Sequence, residues 1–208
     1  MDQNINYSKL TDGVICEMQK SGKRKSLLLH VCCAPCSSYV LEYLSEFFDI
    51  TVYFYNPNID SEDEYRFRAD EEKRLLREMP CAGNVKYVEG EYDVERFLDA
   101  SRGLEDAREG GARCMKCYEL RLERAAEYAA ANGFDMFTTT LSISPLKNSR
   151  ALNLIGEKLS EKYGVDYLFS DFKKKNGYKR SVELSAEYKL YRQSYCGCSF
   201  SKKQSENI

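Results

Sequence analysis

Cys32-Cys33-Ala34-Pro35-Cys36, Cys114-Met115-Lys116-Cys117 and Cys196-Gly197-Cys198 place seven of the chain's nine cysteines in three tight groups. Thiols gathered this densely act as metal ligands or as redox couples, because thiolate sulfur binds zinc and iron and also exchanges electrons through disulfides. The first two groups offer Cys32, Cys33, Cys36, Cys114 and Cys117, one more than the four thiolates that a cubane iron-sulfur cluster or a tetrahedral zinc ion takes. Spacing alone fits both metals, since Cys33-x-x-Cys36 with Cys114-x-x-Cys117 also suits structural zinc. Cys196 and Cys198 are too close for a routine zinc clip. Gly197 permits the bend that a Cys-x-Cys disulfide needs, and such a strained bond is easily reduced; the same pair also suits a second metal ion as a dithiolate. Cys16 and Cys81 stand apart and read as ordinary thiols.

These groups must be positioned by the elements that carry them. Leu27 to Val31 is an apolar run that reads as a buried strand, which puts the first thiols at a strand's carboxyl end, where open α/β sheets place their ligands. From Ser37 to Phe48, apolar residues at helical spacing predict a helix capped by Ser37 or Ser38. Ile50 to Tyr55 is a second strand, stopped by Asn56-Pro57-Asn58. Ser61 and Glu64 have capping-box spacing at the start of a helix to Met79 that Pro80 closes. Val85 to Val88 follows as a strand, Val94 to Ala100 as a short helix, and Ser101 to Gly111 as a mobile loop. The helix from Cys114 to Asn132, stopped by Gly133, puts Cys114 and Cys117 on its first turn, where the helix N-terminus favours thiolates. Phe134 to Leu141 and Val165 to Phe169 are the remaining strands, separated by a polar loop at Ser142 to Pro145 and a helix from Asn148 to Tyr163. A last helix, Leu184 to Tyr195, delivers Cys196 and Cys198 back to the other thiols. Such alternation predicts an α/β fold, a parallel sheet of about five strands with helices on both faces. Thiols at the ligand end of a sheet with its own core favour a cluster over structural zinc, which staples small loop-rich modules.

With 208 residues the chain suits a single domain, with a core from 25 to 200 and peripheral termini. A formal charge of -2 gives no overall basic footprint, so any nucleic-acid contact must come from a local patch. No secretory leader or long apolar run is seen, which places the protein in the cytoplasm, where clustered cysteines are metal ligands or catalytic thiols. The turn after the first strand carries Pro35 and no glycine, so it is no phosphate loop, and ATP use is disfavoured. His30, inside an apolar strand, reads as a hydrogen-bonded core residue. Tyr65-Arg66-x-Arg68, Lys173 to Lys175 and Tyr178-Lys179-Arg180 suit either phosphate contacts or a solvated face. Tyr188, Tyr191, Arg192 and Tyr195, on the approach to the last thiols, suit either stacking on a base or packing against the sheet.

Five motifs taken in order carry a more specific signal: Leu29-His30-Val31-Cys32-Cys33-Ala34-Pro35-Cys36, Tyr55 to Ile59 with Glu64-Tyr65-x-x-Arg68, Arg113-Cys114-x-x-Cys117-Tyr118, Thr139 to Pro145, and Tyr191-Arg192-Gln193-x-Tyr195-Cys196-Gly197-Cys198. Together they resemble QueH, the cobalamin-independent epoxyqueuosine reductase family of the queuosine pathway. The resemblance implies a fold similar to the adenine-nucleotide α-hydrolase (HUP-like) group. Its implied substrate is tRNA carrying epoxyqueuosine at the anticodon wobble position, reduced to queuosine. An external electron donor is expected as a partner, and the chain is expected to be a monomer without membrane attachment. It also implies a [4Fe-4S] cluster at Cys32, Cys33, Cys114 and Cys117, with Cys36 as an additional candidate. Cys196 and Cys198 would take a catalytic redox or iron-binding role, with one further mononuclear iron as an expected companion. Removing an epoxide oxygen as water takes two electrons and two protons, whereas a cubane passes one electron at a time, so a second redox centre is needed. An iron ion or a dithiol would serve, and a ferrous ion would also act as a Lewis acid on the epoxide oxygen. Readings from other classes are a zinc-stabilised RNA-binding module and a sulfur-transfer enzyme on a related ATP-using fold, the latter lacking its glycine-rich loop here.

Overall fold

Strand residues buried on both faces cannot alternate apolar with polar, and the run Leu27-Leu28-Leu29 is explained by such burial. The computed structural model describes residues 5–206. Helix α1 (Tyr7–Ser21) precedes β1 (Ser26–Val31), α2 (Ala34–Leu44), β2 (Asp49–Phe54), α3 (Glu62–Glu78), β3 (Lys86–Glu89), α4 (Val94–Ser101), α5 (Ala112–Ala131), β4 (Met136–Thr139), α6 (Ser149–Tyr163), β5 (Asp166–Tyr167), α7 (Gly177–Glu187) and α8 (Ser199–Glu206). The five strands pair in the order β3-β2-β1-β4-β5, all parallel, with Leu27 opposite both Ile50 and Met136. This is the expected α/β, HUP-like sheet.

Strand geometry sends alternate residues to opposite faces. Leu27, Leu29 and Val31 join Ile15 of α1, Val40 and Leu41 of α2 and Leu184 of α7 in one core, while Leu28 joins Tyr118 and Leu122 of α5 and Leu152 of α6 in the other. The strand order also fixes where a ligand can sit. From β1 the chain moves outward to β2 and β3, then returns to β4 on the other side of β1, which opens a crevice beyond the carboxyl ends of β1 and β4. Cys32 lies there, and its backbone N–H donates to Thr140 Oγ1, one residue past β4, at 3.3 Å.

The structure departs from the sequence expectations at element ends. Helix α2 starts at Ala34, capped by extended Cys33, and neither Ser37 nor Ser38 is the cap. Pro35 explains the shift, because its fixed φ and missing N–H suit a first helical turn. The strand expected to run to Leu141 ends at Thr139 and continues as a 3-10 turn over Thr140–Ile143, and β5 spans only Asp166–Tyr167. The helix expected over Leu184 to Tyr195 is displaced: α7 covers Gly177–Glu187, and the chain from Tyr188 to Cys196 is irregular, with Lys189 at φ 50°. Side chains of α3 replace the missing helical hydrogen bonds. Arg74 donates to the Tyr188 carbonyl at 3.1 Å, and Glu71 accepts from the Tyr191 N–H at 2.9 Å.

The termini are more engaged than expected. Helix α1 buries Ile15 and Met18, and Thr11 Oγ1 donates to the Phe169 carbonyl at 2.7 Å. Ser201 of α8 lies against the thiols. The loop from Ser101 to Gly111, expected to be mobile, is tied down by Arg113, which donates to the carbonyls of Leu104 and Glu105 at 3.0 and 2.8 Å.

Candidate metal centre

Cys33 caps α2 and Cys36 lies three residues on, a spacing that puts both sulfurs on one helix face. Their sulfurs are 2.9 Å apart, Cys32 Sγ is 3.8 Å from Cys33 Sγ, and all three lie within 4.8 Å of one another. Three sulfurs so close interact strongly. Hydrogen bonds from the Cys33 and Cys36 thiols hold Cys32 well below its ordinary value, and in turn Cys32 pushes Cys33 and Cys36 up.

The second group sits where expected on α5, with Cys114 on the first turn and Cys117 one turn later. The Gly110 N–H donates to Cys114 Sγ at 3.2 Å. Cys114 and Cys117 line a small enclosed cavity with Cys196 and Cys198. Cys196 also lines an open cleft with Cys32, Cys33 and Cys36. The fold therefore gathers all seven clustered cysteines into a front trio and a rear set, and Cys196 belongs to both cavities. Burial pushes Cys117 up to about 12 and Cys198 up to about 11, so metal binding at these sulfurs must displace protons.

Placement of Cys196 and Cys198 explains two sequence motifs. Asn58 Nδ2 and Arg68 donate to the Cys196 carbonyl at 3.4 and 3.3 Å, and the Ser199 N–H donates to Asp60 at 2.7 Å. Arg68, a candidate phosphate contact by sequence, is 2% exposed and paired with Glu64, so it is a strut for the thiol loop. Gly197 has φ 121°, and an added Cβ would lie 2.8 Å from Ile59 Cγ1, so this position requires glycine. His30 is the expected core histidine, bonded to Thr139 Oγ1 at 2.8 Å and the Tyr55 carbonyl at 3.0 Å.

Buried cations surround the sulfurs. Lys147 Nζ is 3.2 Å from Glu109, which also accepts from Ser201 Oγ at 3.0 Å. Burial works against the Lys147 ammonium, but Cys196, Tyr118 and Glu109 outweigh it and hold its pKa above the ordinary value. Arg121 lines the open cleft beside Cys32 and Cys196. Sequence reasoning passed over Arg121, Lys147 and Glu109. Only Arg121 carried a readable signal, four residues after Cys117 and hence on its helix face.

The basic run is mostly paired. Lys173 contacts Asp171 at 2.9 Å, Lys175 holds Asp12 at 2.5 Å, and Arg180 holds Glu42 at 2.7 Å, so their charge is largely spent within the fold. Tyr178, Arg192 and Tyr195 do reach the cleft, joined by Leu146, which is 72% exposed at its mouth.

The sequence profile described as Epoxyqueuosine reductase QueH matches residues 27–204. The chain belongs to the QueH family. It is 46% identical over 204 residues to the epoxyqueuosine reductase QueH of Streptococcus pyogenes serotype M1, covering 97% of this chain and 80% of that protein. The protein of the same description from Staphylococcus epidermidis is 42% identical, covering 96% and 85%, and that from Thermotoga maritima 39%, covering 85% and 90%. A QueH-family chain is an oxidoreductase, an epoxyqueuosine reductase, and the thiol-lined cleft is a metal-compatible site for it. Among the described residues no helix is long and apolar enough to cross a membrane.

Beneath the front trio lies a buried carboxyl. Glu72 accepts from Ser37 Oγ at 2.7 Å, and its Oε1 has no partner among the described residues. Burial, reinforced by Cys32, pushes its pKa from 4.5 up to about 8. Between those values the folded protein keeps a proton that the unfolded chain releases. The stabilisation is therefore complete below pH 4.5 and is lost as pH rises to about 8. At about 1.36 kcal/mol per unit the loss reaches a few kcal/mol. Urea melts should show a lower wild-type midpoint at pH 8 than at pH 5, and Glu72→Gln should reduce that difference. An unchanged pH dependence in the variant would remove Glu72 as its source.

Proposed function

We propose that this chain reduces epoxyqueuosine to queuosine at the wobble position of tRNA, holding a [4Fe-4S] cluster on Cys32, Cys33, Cys114 and Cys117. In this reading Cys196 and Cys198 form the neighbouring second centre, as a redox dithiol or as ligands of one further iron. The carrying observation is that Cys196 lines both the open cleft and the enclosed cavity, so one thiol reaches substrate space and the rear sulfurs together. The donors suit the cluster: the Cys32 and Cys33 sulfurs stand 3.8 Å apart, Cys114 and Cys117 share one cavity, and the buried Arg121 and Lys147 lie beside Cys32, Cys33 and Cys196 to balance thiolate charge. When bound, the cluster supplies electrons singly. Oxidation of the Cys196-Cys198 dithiol to a disulfide releases two electrons and two protons, which balances removal of the epoxide oxygen as one water and leaves the alkene. An external donor then restores the dithiol.

The base enters the cleft between Leu146 and Tyr178, an apolar and an aromatic side chain at the mouth that suit an extruded base, and Arg192 adds a cation at its wall. The reading takes the chain as one domain, supported by one sheet covered on both faces, and as a monomer working in the reducing cytoplasm. Anaerobic purification tests it. The protein should be brown, with about four irons and four sulfides per chain and any further iron beyond them. Colourless protein with one zinc per chain after iron-sulfide reconstitution would instead support a zinc-stabilised module.

A further inference from the structure

Arg121 is 1% exposed, yet no carboxylate pairs with it among the described residues. It donates to Asn56 Oδ1, and the Asn56 amide is fixed in that sense because its Nδ2 donates to the Val31 carbonyl at 2.9 Å. Its Nε finds no hydrogen-bond partner. Of the other large buried guanidinium groups, Arg68 is paired with Glu64, and Arg113, whose Nε is likewise unpartnered, donates to two backbone carbonyls. His30 on β1 offers no anion, since an imidazole is neutral or cationic, and both its nitrogens are taken by Thr139 Oγ1 and the Tyr55 carbonyl. The groups that can answer the guanidinium are sulfurs: Cys32 and Cys196 line the same cleft as Arg121, and Cys117 stands one turn before it on α5. A buried cation without an anion is strongly unfavourable, so this site is complementary to negative charge held by thiols.

We infer that Arg121 is a positioning residue that supplies the counter-charge of the iron-sulfur centre and sets its reduction potential. The inference rests on the function proposed above. A cubane on four thiolates gains one more negative charge on reduction, and a fixed cation in a low-dielectric site stabilises the reduced form more than the oxidised one. Asn56 anchors the guanidinium, and at 1% exposure the charge stays buried in the site.

Arg121→Gln, Arg121→Lys and Arg124→Gln, the last a half-buried arginine on the same helix that pairs with Glu127, would be purified and reconstituted anaerobically, with iron and sulfide assayed first. Wild-type protein without a cluster at that stage would overturn the proposed function and not the role of Arg121. Midpoint potentials would then be read by redox titration followed by electron paramagnetic resonance. Arg121→Gln is expected to be harder to reduce by at least tenfold in the one-electron equilibrium, about 59 mV more negative. Arg121→Lys should return most of that shift, and Arg124→Gln should show none. Should Arg121→Gln not fold, as judged by circular dichroism, Arg121→Met removes the charge without leaving a buried polar edge and carries the same comparison. A full cluster at the wild-type potential in a charge-free variant, or an equal shift in Arg121→Lys, would overturn the inference.

Discussion

Cys114→Ala and Cys117→Ala are each expected to abolish the cluster, leaving anaerobically reconstituted protein with little iron and no absorption near 400 nm. Both sulfurs project from the start of α5 into one enclosed cavity, and no other thiol stands on that helix. A cubane that loses one of four thiolates has no spare ligand on that side, in contrast to the front, where Cys36 lies 2.9 Å from Cys33. Partial rescue, by Cys36, is therefore expected only for Cys33→Ala. Cys36→Ala should keep a cubane spectrum and Cys32→Ala should lose it, because Cys32 is the sulfur fixed at the crevice by Thr140. The opposite pattern would transfer the ligand role to Cys36. Retention of iron by both α5 variants would mean that the cluster is held elsewhere.

Much of this site was legible in the sequence because its logic is local. Cys33 and Cys36 share a helix face by i, i+3 spacing, Cys114 and Cys117 open a helix, and the apolar run before Cys32 marks a strand end. The sheet was legible too, since strands buried on both faces leave continuous apolar runs between helical stretches. What escaped depends on tertiary pairing. Nothing near Lys175 in sequence announces that Asp12, 163 residues away, neutralises it. The displaced last helix is of the same kind: Tyr188 to Cys196 has helix-compatible residues, but Glu71 and Arg74 of α3 satisfy its backbone in an irregular path. Arg68 read as a phosphate contact or a solvated charge because its burial against the Cys196 loop is set by a segment 128 residues away.

Cys196→Ser and Cys198→Ser should keep most of the cluster absorbance and lose epoxide reduction, on the order of 10⁴-fold if the pair acts as a unit. The two positions differ in kind. Cys196 faces the open cleft as well as the rear cavity, with Lys147 and Arg121 beside it, whereas Cys198 is 6% exposed in the rear cavity and bonded by the Ser201 N–H at 3.4 Å. In a dithiol couple the exposed sulfur meets substrate or donor and the buried one closes the disulfide, so both substitutions stop a two-electron turnover. Serine preserves the shape of the loop around Gly197 while removing the redox sulfur. Single-turnover assays with epoxyqueuosine-containing tRNA and chemically reduced protein would separate these effects from re-reduction by a donor. Wild-type turnover in either variant would take the pair out of the reaction. Loss of the cluster spectrum in both would give a different answer, that the four sulfurs of the enclosed cavity hold the iron and the front trio faces the substrate.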